Sequence, residues 1–436
     1  MRSLNGLLRA ATAASILFAA PSGAHPAPAP TPRTNTCGEF TVAMIPDTQN
    51  YVDYRHQRWS GFPFDAVEQL YAQMRWIAAN AKSAGGDIVF ATHMGDVWQH
   101  YSAWMDPGHQ ARGFKWVSNG GSEVAMSPKV HTRGFEIPVA VQAHQLIAGK
   151  LPFSVVPGNH DYDALWTDPA HPPQGKRAGK RHVGGLTGFQ SAFSDQSQFF
   201  KGQPWYVASH DGGADSAQLF TAGQCRFLHI GLQYHAPDAS LEWAAGVIRR
   251  FPGLPTLIST HDYLGRDGKR NLASNPLNSA LDPTDNNPEM MWDEFISRHD
   301  QIFLVLSGHV GGQGFSIDTN RSGKPVYQMM ADYQGRGQTA REAGLTKGED
   351  VGDGWLRLLK FRLDTERPSI EVRTFSTHYG KFASEIPEYA AWYQAHDGQA
   401  RLSPQDYLKR EEFTIDLAGF HQRFARPAAR AARPTR

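Results

Sequence analysis

Cysteine is nearly absent from this chain: its 436 residues include Cys37 and Cys225 and no others. With no C-x-x-C pair there is no zinc ribbon and no thioredoxin-type redox centre. Each cysteine stands just before an apolar run, FTVAMI or RFLHI, and one disulfide or two buried thiols would both suit that placing. A surplus of either charge is also missing. Lys plus Arg number 43 against 42 Asp plus Glu, a formal net charge of +1, so nucleic acid is not an expected partner. There is no Gly-x-Ser-x-Gly elbow to supply a serine nucleophile. GGQGF at 311–315 has no helical pattern after it, which excludes a dinucleotide-binding turn. No internal repeat is visible, and nothing beyond the first 24 residues is apolar for long enough to span a membrane.

What is there starts with an export signal. Arg2 and Arg9 flank a positive start, residues 10–20 are apolar, and Ser22-Gly23-Ala24 offers small residues for cleavage. Residues 1–24 therefore read as a signal peptide and 25–36 as an extended Pro/Ala-rich linker, placing the mature protein in the periplasm or outside the cell. Residues 37–420 form the folded domain, and 421–436, with five arginines and no acid, read as a basic disordered tail.

Within the domain, strand-like runs alternate with helical patterns. FTVAMI (40–45) precedes a helix over 65–80, in which Val67, Leu70, Met74 and Ile77 recur at helical spacing. DIVFAT (87–92), FSVV (153–156), RFLHIGL (226–232), TLIST (256–260) and IFLVLS (302–307) follow, with helices near 240–250 and 289–298. This alternation predicts an α/β core. The runs at 325–331, 355–363, 369–375 and 411–417 read as mainly antiparallel strands. Long polar stretches at 98–135, 162–205 and 265–287 read as loop insertions.

Each strand of the alternating part ends in ligand chemistry. Asp47 and Gln49 follow the first, Gly95-Asp96 the second, Gly158-Asn159-His160-Asp161 the third, His261-Asp262 the fourth and Gly308-His309 the fifth. In open α/β sheets the carboxyl ends of the strands are where ligands bind, so these side chains should converge. Any one motif alone suits a turn or a cap; the ordered set points to a metal site.

The order resembles that of the calcineurin-like metallophosphoesterases. The resemblance implies a metallo-dependent phosphatase-like sandwich of two β-sheets flanked by helices, with residues 37–420 as the metallophosphoesterase domain. It implies two divalent ions (manganese, iron, zinc or magnesium), bridged by Asp96. Asn159, His261 and His309 would complete one ion, and Asp47 with the Gln49 amide oxygen the other. His160 would be the general acid for the leaving group, with Asp161 orienting its ring and raising its pKa. The implied activity is hydrolysis of a phosphomonoester or phosphodiester, carried on a small molecule or a protein.

Two histidines of the family pattern are absent, since Gln49 and Gly311 stand in their places. That leaves the second ion an oxygen-rich site, suited to manganese or magnesium over zinc. Water or a nearby histidine (His93, His100 or His235) would complete it. Asp332-Tyr333-Gln334 and the Gly352–Arg357 stretch match a bacterial subgroup whose first motif is Asp-Thr-Gln, which favours activity. The alternative is a catalytically degenerate exported protein that binds phosphorylated or carbohydrate ligands. Trp98, Trp104, Trp116, Trp166 and Trp205 would then be stacking surfaces, or else packing anchors in the loops.

Overall fold

The computed structural model describes residues 36–424 apart from 103–106, 114, 117–130, 168–169, 173, 175–179, 274–281 and 347–349. The expected signal peptide, all but the last residue of the linker and most of the tail lie outside the described residues. In chain order the strands are β1 (Glu39–Ile45), β2 (Ile88–His93), β3 (Lys115–Trp116), β4 (Phe153–Val155), β5 (Ala164–Thr167) and β6 (Arg181–Gly184). Then come β7 (Tyr206–His210), β8 (Asp215–Ala222), β9 (Cys225–Leu232), β10 (Thr256–Thr260), β11 (Ile302–Ser307) and β12 (Gly312–Thr319). The last are β13 (Pro325–Asp332), β14 (Trp355–Arg362), β15 (Ser369–Ser376), β16 (Lys381–Phe382) and β17 (Phe413–Asp416).

Two large mixed sheets result. One runs β16-β15-β14-β1-β2-β4 with β17 also on β15, and the other runs β12-β13-β11-β10-β9-β8-β7. The β1-β2-β4 and β9-β10-β11-β13 sets are parallel, and the outer strands are antiparallel.

Side-chain alternation explains the layering. Along β1, Phe40, Val42 and Met44 join an inter-sheet core with Phe220, Phe227, Leu257 and Leu306. Ala43 and Ile45 point the other way, towards Leu70, Met74 and Ile77 of the helix Val67–Ala79. The other sheet does the same. Phe227 faces inward, while Leu228, Ile230 and Leu232 pack on Leu241, Ala244 and Val247 of the helix Asp238–Arg250. Strands buried on both faces must be almost wholly apolar, which is why β1, β2 and β11 show no clean polar alternation. Phe40 tilts against Phe227 and Phe90 stacks on Phe220, stitching the sheets together. A Cys37–Cys225 disulfide, with Cα atoms 5.0 Å apart, ties the start of β1 to the start of β9.

Two expectations change, the direction of the 325–331 run and the start of the tail. The 325–331 run lies parallel to β11 and antiparallel only to β12, so its carboxyl end joins the ligand edge. GGQGF opens the antiparallel strand β12. The tail begins later than 421, because Phe420–Phe424 is helical and Arg423 donates to the carbonyls of Asp300, Ile302 and Pro325 at 2.6–2.7 Å. The long insertions also carry structure: β3, β5 and β6 form a small sheet, and Thr187–Phe193 is a helix.

Candidate metal centre

The parallel strands deliver their carboxyl ends to one place. Asp47 and Gln49 follow β1, Asp96 follows β2, Asn159–Asp161 follow β4, His261 follows β10 and His309 follows β11. The tightest grouping is Asp96, His261 and His309, whose ligand atoms lie within 4.8 Å of one another and could hold a metal ion. His261 fixes its own tautomer. Its Nδ1 donates to the Met94 carbonyl at 2.8 Å, so Nε2 presents a lone pair or an acidic proton to the site. Around that Nε2 stand Asp96 Oδ1 at 3.3 Å, Asn159 Oδ1 at 3.1 Å and His309 Nδ1 at 3.0 Å. Two nitrogens and two oxygens thus face one point.

Backbone geometry is bent to achieve this. Asp96 and His309 have φ of 49° and 68°, a left-handed conformation that side-chain-bearing residues rarely adopt and that clusters at functional sites. A Cβ on Gly158 would fall on the Asp96 backbone nitrogen and Oδ1, and one on Gly308 would fall on Asp47 Oδ1. The glycines of the Gly-Asn-His-Asp and Gly-His motifs are therefore there so that carboxylates can approach the backbone. Asp47 fills that gap, accepting the His309 N–H at 3.2 and 3.1 Å.

Charge in the centre is strongly coupled. Burial pushes the Asp47 carboxyl well up, and the neighbouring Asp332 charge pushes it further. Burial also lifts Asp332 to about 6 and raises Asp161, with Asp96 adding to both. Asp96 itself goes the other way: burial opposes its ionisation, but the charges of His261 and His160 hold it well below the usual carboxylate range. Burial would lower His261, yet Asp96 and Asp47 outweigh it and lift the ring to about 10. Burial, with the His261 and His235 charges behind it and Asp262 opposing, brings His309 to about 4. Buried carboxylates of this density are suited to a cation, which would displace the His261 proton.

The remaining expected residues divide. Gln49 is in place: its Nε2 donates to Asp96 Oδ2 at 3.1 Å, while its buried Oε1 has no hydrogen-bond partner. His160 points its Nε2 into the site, 3.9 Å from Asp96 Oδ2, with its ring stacked against Tyr101. Asp161 does not orient that ring. Its oxygens accept the N–H groups of Gly158 at 2.7 Å, Val97 at 2.9 Å and Trp98 at 3.4 Å, which makes it a clamp between the β2 and β4 ends. The ring is held instead by the Gln99 carbonyl, 2.6 Å from Nδ1. A main-chain acceptor leaves no side-chain signature, so sequence gave no sign of it.

None of the three candidate histidines completes the second half. His93 donates Nε2 to Thr48 Oγ1 at 2.9 Å and accepts the Gly95 N–H on Nδ1 at 3.1 Å. His100 pairs with Glu136 at 2.7 Å, and His235 faces Asp262 at 3.4 Å. Asp53, His100 and Glu136 form a second buried grouping, but Arg55 already forks onto Asp53. A third, His182, Asp282 and Asp285, lines a cavity of about 450 Å³ beside Tyr162 and Tyr234. The buried acid that sequence reading left out of the centre is Asp332. It ends β13 and is 1% exposed, with its oxygens accepting Gln334 N at 2.9 Å and Nε2 at 3.3 Å. Its signal was the same as that of the others, an acid at the end of a parallel strand, concealed because β13 was read as antiparallel.

No protein-family model matches the chain. A stretch of 228 residues is 25% identical to a protein of Bacillus subtilis (strain 168) described as uncharacterized protein YvnB, covering 50% of this chain and 16% of that protein. The chain thus aligns with about a sixth of that relative's length, and the likeness carries no activity with it.

Proposed function

We propose that this protein is a metal-dependent hydrolase of phosphate esters built on a metallo-dependent phosphatase-like sandwich, and that it works in an exported compartment. The observation that carries the reading is the convergence of Asp96 Oδ1, Asn159 Oδ1, His261 Nε2 and His309 Nδ1 on one point, beside the unpartnered Gln49 Oε1 and the buried Asp47. This donor set fits divalent cations: neutral imidazole and amide ligands with carboxylates for one, oxygen ligands for its neighbour. The four converging atoms would hold one cation and Asp47 with Gln49 the other, Asp96 serving both. Two divalent ions held a few ångströms apart would polarise the phosphoryl group and lower the pKa of an attacking water.

The chain's own residues supply the rest. The Gln99 carbonyl holds the His160 Nδ1–H, so Nε2 is the nitrogen that faces the site and from which a departing alkoxide would take a proton. Asp161 locks Gly158 and Val97 together, so the Asn159–His160 turn and Asp96 cannot drift apart. His160 N–H donates to Asp96 Oδ1 at 2.8 Å, steadying the carboxylate that would be shared by both cations. Water would attack phosphorus as hydroxide, its proton passing to solvent, while the P–O bond to the ester oxygen breaks and His160 Nε2 gives its proton to that departing oxygen. The disulfide belongs to an oxidising compartment, and no helix among the described residues is long and apolar enough to cross a membrane. The test is hydrolysis of p-nitrophenyl phosphate and bis-p-nitrophenyl phosphate by manganese-loaded protein. Activity in the wild type that disappears in Asp96→Asn supports the reading, and equal rates in both remove it.

A further inference from the structure

Building on that dinuclear reading, we infer that Asp332 is a ligand of the second cation and takes over from the two histidines that Gln49 and Gly311 replace. In the parallel β11–β13 pair Ser307 stands opposite Met330, so Asp332, paired with Gly312 of β12, leaves β13 at the same edge where Gly308 and His309 leave β11. On that edge the His309 N–H donates to Asp47, so Asp332 and Asp47 share the same end of their strands. Among neighbouring charges Asp332 acts on Asp47 more strongly than Asp96 does. The two loops are joined directly, with Asn50 Nδ2 donating to the Gln334 carbonyl at 3.1 Å.

Asp332 makes no ion pair among the described residues, and His261 is the cationic side chain that acts on it. The nearest arginine in sequence, Arg336, spends its buried guanidinium on Asp397 and Glu411, each at 2.7 Å. A buried carboxylate next to another is costly unless a cation joins them. The carboxylate is already oriented by Gln334, as ligating carboxylates are. Gln49 Oε1, buried and without a partner, supplies a further oxygen. The second cation would then have Asp47, Asp96, Asp332 and Gln49 around it, all oxygen donors. A set without nitrogen or sulfur selects hard ions, so this half should take manganese or magnesium and discriminate against zinc. At Gly311 the missing histidine leaves no side chain in its place, and a Cβ there would meet nothing within 4 Å.

The experiment is a manganese titration of chelator-stripped protein, read by equilibrium dialysis and by electron paramagnetic resonance. Wild type should bind two Mn²⁺ per chain and give an exchange-coupled spectrum. Asp332→Asn, shown by circular dichroism to be folded, should keep one Mn²⁺ with an isolated six-line spectrum, its second site weakened about 100-fold or more. Asp332→Glu should restore the second ion in part. Two ions at wild-type affinity in Asp332→Asn, or loss of both, overturns the assignment while leaving a dinuclear wild type standing. Wild type that binds fewer than two ions defeats the dinuclear reading, and this assignment with it.

Discussion

Removing one buried charge should stabilise the metal-free protein and destabilise the metal-loaded one. The perturbation is Asp332→Asn. Burial, with the Asp96 charge behind it, raises the Asp332 carboxyl from an ordinary value of 3.8 to about 6. The folded protein therefore keeps a proton that the unfolded chain has lost, and the contribution of Asp332 to stability falls as pH rises from about 4 to about 6, then levels off. Two pKa units at about 1.4 kcal/mol each make that loss about 3 kcal/mol. Asparagine has no such loss, and without the Asp332 charge Asp47 ionises more easily, an effect of the same sign. Relative to wild type the variant should gain about 3 kcal/mol between pH 4 and 7. At about 2 cal/mol/K per residue over 436 residues, that is a melting shift of about 3 °C.

The stability curve of the wild type alone would hide this. Burial lowers His93 and brings His144 and His309 to about 4 and His229 to about 3. The unfolded chain accepts protons that these rings refuse, so they make stability rise from about pH 4 to 6.5. Subtracting the two melting curves cancels that contribution and any constant offset from the amide. The assay is thermal melting of both proteins in EDTA from pH 4 to 8, repeated with saturating Mn²⁺, where the order should reverse. A difference independent of pH in EDTA, or equal stabilisation of both proteins by Mn²⁺, would refute the reasoning.

Asn159 and His160 are adjacent but should fail differently. Asn159→Ala should weaken metal binding, whereas His160→Ala should keep its metal and slow alkyl phosphate hydrolysis by about 10²–10⁴-fold, with much less effect on p-nitrophenyl esters. Equal slowing of both esters would remove His160 as the acid. Replacing Cys37 and Cys225 together by serine opens a 188-residue closure and should lower stability by about 5 kcal/mol without changing metal stoichiometry. An unchanged melting temperature would show that the link does not constrain the unfolded chain.

Sequence revealed the α/β alternation and the strand ends because those signals are local. Val67, Leu70, Met74 and Ile77 mark a helix by spacing alone, and Gly-Asn-His-Asp marks a strand end by composition. The strand pairs β7–β8 and β12–β13 were less legible, since their partners are chosen by the sheet rather than by their own residues. The same gap concealed Asp332: whether an acid ends at the ligand edge depends on strand direction, which PVYQMMA does not encode. His160 stands with its Nε2 towards Asp96, as its motif suggested, but its orientation depends on a carbonyl of Gln99 that any residue could have supplied.

The most direct test of the account is the metal count of purified protein before and after Asp96→Asn. Asp96 accepts from Gln49 on Oδ2 and faces His261 on Oδ1, so on the proposed reading its two oxygens would serve two cations. Two divalent ions per chain in the wild type, with both ions and phosphate-ester hydrolysis lost in a folded Asp96→Asn, is the predicted result. An Asp96→Asn protein with unchanged metal content, or a wild type that hydrolyses phosphate esters at full rate in EDTA, would contradict it.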